Sequence, residues 1–551
     1  MLVFTRVLVI CAIAFQPMIG AAVPAEGHRI MYAGPSPYGV EIVRDIQRKG
    51  GNVVDATIAA VLSITVTNPY FGALGGGGFA VVKMGKDVKA LDFREMAPAK
   101  AHEKLYEDKP EKASIEGGLA VGVPGMAMGL YELHKKHGKL KWNQLFDGAI
   151  RLADQGFPLS GEWVKVTGWG RSRNHLSPEL MKLVSDPKGE ALKPGAILKQ
   201  PKLAKLLKLM RDKGASAFYS GDVAKDIVST VNSTGGIFDV KDLANYKARW
   251  LAPLTAQYSG HTLHLMPPPS SGGIVIAQAV QLLDKLNINA HEPLSVNELH
   301  LLIEAMKLSF KGRPELGDPA FVENPVERLL SPESIAKLAS LVKMDKAIDV
   351  EKIKAQPEES QNTTHLSVMD ADGNAVAMTV TLNGDWGSGL MTPKYGIALN
   401  NEMDDFNTRQ GKPNMFGLIQ GKANNVRPGA RPLSSMSPTI VEKDGRTVLV
   451  VGAPGGPRII TAVLQVIYRT LRGPFDIDQA VQAPRVHHQF LPNIVRMDKL
   501  KLPPETIEAL TKKGHKIEFS STGKAYGIVR DENGILMGAA DARGEAGAGG
   551  L

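Results

Sequence analysis

One segment in the second half of the chain says most about the fold, and it reads Thr363-Thr-His-Leu-Ser-Val-Met-Asp-Ala-Asp-Gly-Asn-Ala-Val-Ala-Met-Thr-Val-Thr-Leu-Asn383. Two alternating runs flank an Asp-Gly pair, a combination that predicts a β-hairpin. With a three-residue loop in which Gly373 is left-handed, Asp370 pairs with Asn374. The segment therefore predicts two antiparallel strands.

The register of this hairpin decides which side chains share a face. A two-residue loop would mix polar and apolar side chains on each face, and a slip of one residue exchanges the faces. The three-residue loop separates them, so we predict that register. It sets Thr363 opposite Thr381, with Asn383 just beyond, and places His365 on the same polar face.

The remaining sequence predicts helices around such hairpins. Periodicity and end signals predict helices at 38–48, 55–66, 126–137, 142–155, 203–213, 296–310 and 458–469. Strands are predicted at 79–84, 88–93, 364–370, 375–382, 438–442 and 447–451. The region 123–310 reads as mainly helical, 355–362 as an exposed loop and 544–550 as a loose tail. Helix layers on antiparallel sheets, an α+β fold, are the expected architecture.

The composition is that of a globular protein. Of 551 residues, 43% are apolar and 22% are charged, which argues against disorder. The net charge of +9 could indicate an anionic partner. The lysines, however, are spread over predicted helices without interleaved aromatic residues, which is typical of a solvated face. We therefore expect no nucleic-acid partner.

The first residues have the pattern of a secretory signal peptide. Arg6 is followed by an apolar run at 7–15 and by small residues at 20–22, which predicts cleavage after Ala22 or Ala25. The run is shorter than the ~20 residues of a membrane-spanning helix. We expect an exported protein, periplasmic or secreted, with no membrane span after maturation. The single cysteine, Cys11, lies in this segment, so no disulfide or cysteine nucleophile is expected.

Other conspicuous residues have simpler interpretations. His487 and His488 are adjacent, and neighbouring strand residues point to opposite faces, so we predict no metal site there. The glycines at 75–78 lack the Lys-Ser/Thr ending of a phosphate-binding loop, and we interpret them as a place of close backbone packing. His365 is interpreted as structural. Neither a metal nor a cofactor is expected.

Several motifs in order make the chain resemble the γ-glutamyltranspeptidases. Besides 363–383, they are Gly51-Asn-Val-Val-Asp-Ala56, Leu74-Gly-Gly-Gly-Gly-Phe79, Leu91-Asp-Phe-Arg-Glu-Met-Ala-Pro98, Leu399-Asn-Asn-Glu-Met-Asp-Asp-Phe406, Arg431-Pro-Leu-Ser-Ser-Met-Ser-Pro438 and Gly452-Ala-Pro-Gly-Gly456. The resemblance implies an N-terminal-nucleophile hydrolase fold, an α-β-β-α sandwich, and a proenzyme that cleaves itself between Asn362 and Thr363. The implied pieces are a signal peptide (1–25), a large subunit (26–362) and a small subunit (363–551), the last two staying together as a heterodimer.

The resemblance also implies an activity and roles for individual residues. The activity is transfer of a γ-glutamyl group, typically from glutathione, to water or to an amino acid or peptide. Cleavage would free the α-amine of Thr363, whose reference pKa of about 7.7–8.0 lets it act as base for its own hydroxyl. The implied roles are holding the nucleophile's hydroxyl (Thr381), stabilising the oxyanion (Gly455, Gly456), binding the donor α-carboxylate (Arg94, Ser434, Ser435), binding its α-amine (Asn383, Glu402, Asp405) and covering the site with a lid at 410–421 (Phe416, where some relatives have Tyr).

Two other functions remain open at this point. The first is a related activity on the same nucleophile, either a glutaryl or cephalosporin-type acylase or a poly-γ-glutamate hydrolase. Glu402 and Asp405 favour a donor that carries an ammonium group. The second is a non-catalytic exported binding protein, against which the presence of Thr363 and Thr381 argues.

Overall fold

The computed structural model describes residues 24–172, 176–350, 363–473, 475–498 and 502–551. Most of the predicted signal peptide, with Cys11, and the predicted loop at 355–362, with Asn362, lie outside the described residues. The strands within them are β1 (Ala25–Gly27), β2 (Ile30–Gly34), β3 (Gly77–Met84), β4 (Asp87–Phe93), β5 (Phe157–Pro158), β6 (Ile197–Leu198), β7 (Arg249–Leu251), β8 (Leu254–Tyr258), β9 (His261–Leu265), β10 (Thr364–Asp370), β11 (Ala375–Thr381), β12 (Thr439–Lys443), β13 (Arg446–Gly452), β14 (Val486–His487), β15 (Val495–Met497), β16 (Ile517–Phe519), β17 (Tyr526–Arg530), β18 (Leu536–Ala540) and β19 (Gly547–Gly550).

The α-helices cover much of the remaining described chain. They are α1 (Pro37–Arg48), α2 (Val53–Thr67), α3 (Met126–His137), α4 (Asp147–Gln155), α5 (Gly161–Ser172), α6 (Pro178–Leu183), α7 (Pro201–Lys213), α8 (Ser216–Tyr219), α9 (Gly221–Asn232), α10 (Val240–Ala244), α11 (Gly272–Lys285), α12 (Val296–Phe310), α13 (Val326–Leu330), α14 (Pro332–Ala339), α15 (Arg458–Arg472), α16 (Ile477–Gln482) and α17 (Pro504–Lys512). Among the described residues, no helix combines the length and the apolar character needed to cross a membrane.

Two seven-stranded antiparallel sheets form the centre of the molecule. One has the order β1-β18-β17-β13-β12-β9-β8 and the other the order β19-β2-β10-β11-β3-β4-β7. Their inner faces pack together through small and branched side chains, including Ala377, Val450 and Ile528. This inner layer is the first of three apolar layers.

Helices cover both outer faces. Helices α1–α9 pack on the outer face of the second sheet, where Leu366, Val376 and Met378 belong to the shared core. Helices α11, α12, α15 and α16 pack on the outer face of the first sheet, against Leu263 and Leu449. The layers therefore run helix, sheet, sheet, helix, and the predicted α-β-β-α sandwich is confirmed.

The predicted hairpin register is also confirmed. Thr364 pairs with Val380 and His365 with Thr379, and Gly373 has a φ of 84° in the loop between the strands. The backbone N–H of Asp370 donates to the carbonyl of Asn374 at 3.0 Å. Alternate residues consequently face the helices and the opposite sheet, as the separation of polar and apolar side chains requires.

The region 123–310 is mainly helical, from α3 to α12, although it also contains β7, β8 and β9, short strands whose hairpin turn at Ser259 and Gly260 gave a weak sequence signal. Two local expectations were wrong. The tail predicted to be loose forms β19, which pairs along the edge of β2 and brings Gly550 opposite Met31. The helix predicted at 142–155 is instead a short 3-10 turn, Trp142–Leu145, followed by α4.

The glycines at 75–78 lie where backbones approach closely, as interpreted from sequence. A Cβ added at Gly76 would lie 1.9 Å from the carbonyl oxygen of Thr381, and one at Gly78 would lie 2.2 Å from that of Thr379. Both contacts are shorter than any real Cβ tolerates. Only glycine therefore fits at these two positions, where the chain entering β3 lies against the end of β11.

This packing predicts the effect of a single methyl group. Gly78→Ala should destabilise the protein by about 1–3 kcal/mol, the usual range for overpacking a tight site, and should lower its thermal unfolding midpoint. Gly168→Ala is the matched control, since Gly168 is exposed on α5 with nothing within 4 Å of an added Cβ. Circular dichroism melts of the purified variants test this, and equal midpoints would show that β3 has room to move.

Candidate active site

The residue predicted to be the nucleophile lies directly before β10. Thr363 is 5% exposed, and its Oγ1 lies 2.9 Å from Oγ1 of Thr381 at the end of β11. The Thr381 oxygen also accepts the N–H of Asn383 at 2.8 Å, which favours Thr381 as the donor to Thr363. The hairpin register alone brings these two hydroxyls together from positions 18 residues apart.

The two glycines of the predicted oxyanion site precede α15. Gly455 and Gly456 have φ values of 124° and 59°, which only glycine adopts without strain. Their carbonyls accept N–H groups of the first turn of α15, whereas within the described chain their own N–H groups have no hydrogen-bond acceptor. Free N–H groups at a helix N-terminus suit a developing negative charge.

Ten of the residues predicted for the site line one pocket of about 280 Å³. They come from separate parts of the chain and are Arg94, Thr363, Thr381, Asn383, Glu402, Asp405, Phe416, Ser434, Ser435 and Gly456. Gly455 lines a neighbouring pocket that also contains Thr363. The fold therefore assembles the described part of the predicted site in one place.

A buried cluster of charges forms one end of this pocket. Arg94 follows β4 and is 1% exposed; its guanidinium pairs with Glu402, and with Asp405 at 2.6 Å. The Glu95 carboxylate lies 3.8 Å from the same guanidinium. Arg94, which is predicted to bind the donor carboxylate, is thus paired in this structure with Glu402 and Asp405, which are predicted to bind the donor amine.

Burial changes the protonation of these groups. It raises the pKa of Glu402 well above its ordinary value, although Arg94 opposes this, and it raises the pKa of Glu95 to about 7. Burial by itself lowers the pKa of Arg94, but the three carboxylates together bring it above the ordinary value. Burial therefore disfavours the charged forms of these acids, whereas the Arg94 guanidinium favours them.

The segment predicted as a lid packs over the glycines. The ring of Phe416 lies 2.8 Å from the position of a Cβ on Gly456, and its carbonyl accepts the side-chain N–H of Gln489 at 3.1 Å. The lid is fixed from below because Asp404 accepts the N–H of Met415 at 2.9 Å. Position 416 closes the pocket with an apolar ring.

Sequence reasoning missed several polar groups that hold the site together. Asn414 donates to Asp405 at 3.0 Å, and Asn401 accepts the N–H of Gly384 at 2.7 Å while its carbonyl receives the Asn383 amide at 3.0 Å. Glu95 was also missed, although an acid directly next to Arg94 was a usable signal. Asn414 offered no such signal, because its role depends on how the lid folds back.

The histidines of interest are buried and hydrogen-bonded. His365 contacts Thr379 at 2.8 Å and Ser367 at 3.1 Å, and burial lowers its pKa to about 3. His487 contacts Thr461 at 2.8 Å, whereas His488 contacts Asn493 at 3.2 Å. These hydrogen bonds are consistent with a structural role for all three imidazoles.

One group of potential metal ligands occurs among the described residues, away from Thr363. His300, Glu304 and His515 are buried with their ligand atoms within 4.8 Å of one another. Lys307 already pairs with Glu304 at 2.7 Å, and the two imidazoles are hydrogen-bonded to each other at 2.8 Å. The Lys307 ammonium beside the Glu304 carboxylate repels a second cation, so this group of residues does not favour a metal ion.

Comparisons with known proteins agree with this geometry. The family model described as Gamma-glutamyltranspeptidase matches residues 39–551. The chain is 39% identical over 533 residues to a glutathione hydrolase proenzyme of Escherichia coli (strain K12), covering 94% of this chain and 91% of that protein.

Solved structures show the same fold. The cephalosporin acylase from Bacillus halodurans matches with a TM-score of 0.85 and 25% identity, covering 98% of this chain and 99% of that one. The γ-glutamyltranspeptidase of Helicobacter pylori matches with a TM-score of 0.56 and 31% identity, over 61% of this chain and 97% of that one. Taking the extent of the family match with the sequence identity, the chain belongs to the γ-glutamyltranspeptidase family.

Proposed function

We propose that this protein is an exported γ-glutamyltransferase and glutathione hydrolase that cleaves itself before Thr363. The newly exposed threonine then takes the γ-glutamyl group from glutathione or a related amide and passes it to water, an amino acid or a peptide. The observation that carries the proposal is the 2.9 Å contact of Thr363 with Thr381 at the wall of a pocket containing Arg94, Glu402 and Asp405. No cofactor is needed for this chemistry.

Backbone strain at Thr363 supports the self-cleavage step. Its φ is 88°, a conformation that costs a β-branched residue on the order of 1–3 kcal/mol. Breaking the peptide bond before Thr363 abolishes that dihedral angle, so cleavage relieves the strain. The products would be a large subunit ending at Asn362 and a small subunit beginning at Thr363. They would stay together because β10 and β11 of the small subunit pair with β2 and β3 of the large one.

The same groups serve the transfer reaction. The α-amine of Thr363 removes the hydroxyl proton, Oγ1 attacks the γ-carbonyl, and the oxyanion meets the N–H groups of Gly455 and Gly456. The proton then passes to the leaving amine. Water or a second amine attacks the resulting ester and restores the threonine.

The charge cluster fits the amino-acid end of a γ-glutamyl donor. A zwitterion can separate Arg94 from its acids, with its carboxylate facing Arg94, Ser434 and Ser435 and its ammonium facing Glu402 and Asp405. The net charge of the site is unchanged by this exchange. A glutaryl donor, as for an acylase, has no ammonium and would leave the acids without a partner.

Export of the protein is also a proposal. Signal cleavage after Ala22 would leave β1 whole, whereas cleavage after Ala25 would remove the residue that pairs with Gly538. Because β1 stays intact only in the first case, we favour signal cleavage after Ala22. A periplasmic or secreted location would follow.

Removing the nucleophile should block both maturation and turnover. Wild-type protein should yield a smaller fragment of 189 residues (551 minus 362) beginning Thr-Thr-His-Leu-Ser. Thr363→Ala should remain a single chain and release no product from γ-glutamyl-p-nitroanilide, whereas Thr363→Ser should retain part of both activities. Gel analysis, N-terminal sequencing and the chromogenic assay provide the measurement.

A matched control separates loss of a hydroxyl from loss of the nucleophile. Thr65→Ala removes a buried hydroxyl that bonds only within its own helix, to Leu62 at 2.7 Å, and should still be cleaved. Normal turnover by Thr363→Ala would exclude Thr363 as the nucleophile.

Donor selectivity should depend on Asp405. One charge-assisted hydrogen bond contributes about 1.5–3 kcal/mol, so Asp405→Asn should lower kcat/KM for γ-glutamyl-p-nitroanilide roughly ten- to a hundredfold. Turnover of the glutaryl analogue, poor in the wild type, should change little. The two kcat/KM values are to be compared on cleaved protein.

The neighbouring acid provides the control for this experiment. Asp404 is equally buried but accepts from Ser114 and Met415 and supports the lid, so Asp404→Asn should affect both donors alike. Equal losses on both donors for Asp405→Asn would assign it a structural role. A wild-type preference for the glutaryl donor would favour an acylase.

A further inference from the structure

Arg409, directly before the lid, binds the backbone of a loop that is about 300 positions away in the chain. Its guanidinium donates to four carbonyls of the loop 106–116, which are those of Tyr106 at 3.3 Å, Lys109 at 2.9 Å, Pro110 at 2.8 Å and Glu111 at 3.0 Å. A planar guanidinium can hold several acceptors in one fixed geometry, which a lysine ammonium does less well. The loop belongs to the large subunit of the proposed heterodimer and Arg409 to the small one, so this contact crosses the boundary between them.

The same loop reaches the lid itself through a shared carboxylate. The hydroxyl of Ser114 donates to one oxygen of Asp404 at 2.7 Å, and the other oxygen accepts the N–H of Met415 in the lid at 2.9 Å. Close by, the side chain of Asn401 donates to the carbonyl of Ile115 at 3.0 Å. Asp404 therefore joins the loop and the lid with hydrogen bonds on both sides.

An apolar contact completes this connection. Ile115 of the loop packs against a small cluster formed by Met415, Phe416 and Leu418 of the lid. The ring of Phe416 in turn lies over Gly456 of the predicted oxyanion site. Because these side chains are packed in sequence, a movement of the loop would be passed to the ring that closes the pocket.

The lid also holds one of the acids predicted to bind the donor. Asn414 of the lid donates to one oxygen of Asp405 at 3.0 Å, while the other oxygen pairs with Arg94 at 2.6 Å. The position of the lid therefore influences the orientation of this carboxylate.

We propose that the loop 106–116 is a clasp that holds the lid over the donor pocket, and that Arg409 is its positioning residue. Arg409 does not line the pocket around Thr363, so its influence must pass through the lid. A lid that is already held in place needs less ordering when a donor binds. The effect on donor binding rests on the proposed function, whereas the connection between loop and lid does not.

Amide hydrogen–deuterium exchange of the purified protein measures the clasp directly. Arg409→Gln removes the guanidinium that binds the four carbonyls, and exchange in the lid peptide 410–421 should become about tenfold faster or more, as expected for the loss of charge-assisted hydrogen bonds. Ile115→Ala loosens the same lid from the side of the loop and should accelerate the same peptide. Arg409→Lys keeps the cation and should keep part of the protection. Peptides of β12 and β13 serve as the internal reference and should exchange as in the wild type.

Arg427→Gln is the matched control. Arg427 also donates to backbone carbonyls, those of Ala423 and Lys422 at 3.4 Å, but these lie within its own segment of the chain. Its removal should leave exchange in the lid unchanged. In the donor assay, Arg409→Gln should raise KM for γ-glutamyl-p-nitroanilide about threefold or more with a smaller change in kcat, whereas Arg427→Gln should leave KM as in the wild type.

Each part of the inference can fail separately. Equal lid exchange in Arg409→Gln and the wild type would overturn the clasp, and so would faster exchange in the reference strands to the same extent, since that would reflect general destabilisation. Faster lid exchange with an unchanged KM would overturn the link to donor binding. A wild-type protein that neither cleaves itself nor hydrolyses the donor would overturn the proposed function, and the exchange comparison would still decide whether the clasp exists.

Discussion

The pairing of β10 with β11 is the constraint on which the candidate site depends. Because Thr364 is opposite Val380, the preceding residue reaches Thr381, and the two hydroxyls meet at 2.9 Å. A slip of one residue would turn Thr363 towards the helices and bring apolar side chains into the space between the sheets. The same packing that buries Leu366 and Met378 under α2 therefore fixes the threonine, and stability and site geometry cannot be separated here.

A second constraint is the burial of Arg94 with its acids. Taking such a group of charges out of water is unfavourable unless each finds a partner, and a buried ion pair by itself is weak evidence for stability. Here the charged groups come from the two residues directly after β4 and from the 3-10 turn Glu402–Asp405, which the antiparallel sheet and the lid bring together. Under the proposed function, the charges exchange their mutual pairing for pairing with a zwitterionic donor.

Alternation along a strand is a strong local signal, and it predicted the hairpin register. The sandwich layers and most of the residues that line the pocket around Thr363 were predicted from the resemblance of several motifs to a known family. Ten predicted residues meet in that pocket although they come from several separate motifs. Contacts that depend on how distant segments fold back were not predictable. Examples are Asn414 on Asp405, the pairing of β19 with β2, and the ion pair of Lys524 with Glu162 across 362 positions. The mutual pairing of Arg94 with Glu402 and Asp405 was likewise missed, since sequence motifs identify residues without showing their partners in the free site.

The most direct test of the central claim is to trap the acyl group on its residue. Cleaved wild-type protein is mixed with a γ-glutamyl donor, quenched in acid within one turnover, digested and examined by mass spectrometry. The account predicts the added mass of one γ-glutamyl group on the peptide that begins at Thr363, lost on treatment with hydroxylamine. The same mass on another peptide, or a turnover-competent enzyme with no modified peptide at any quench time, would contradict it.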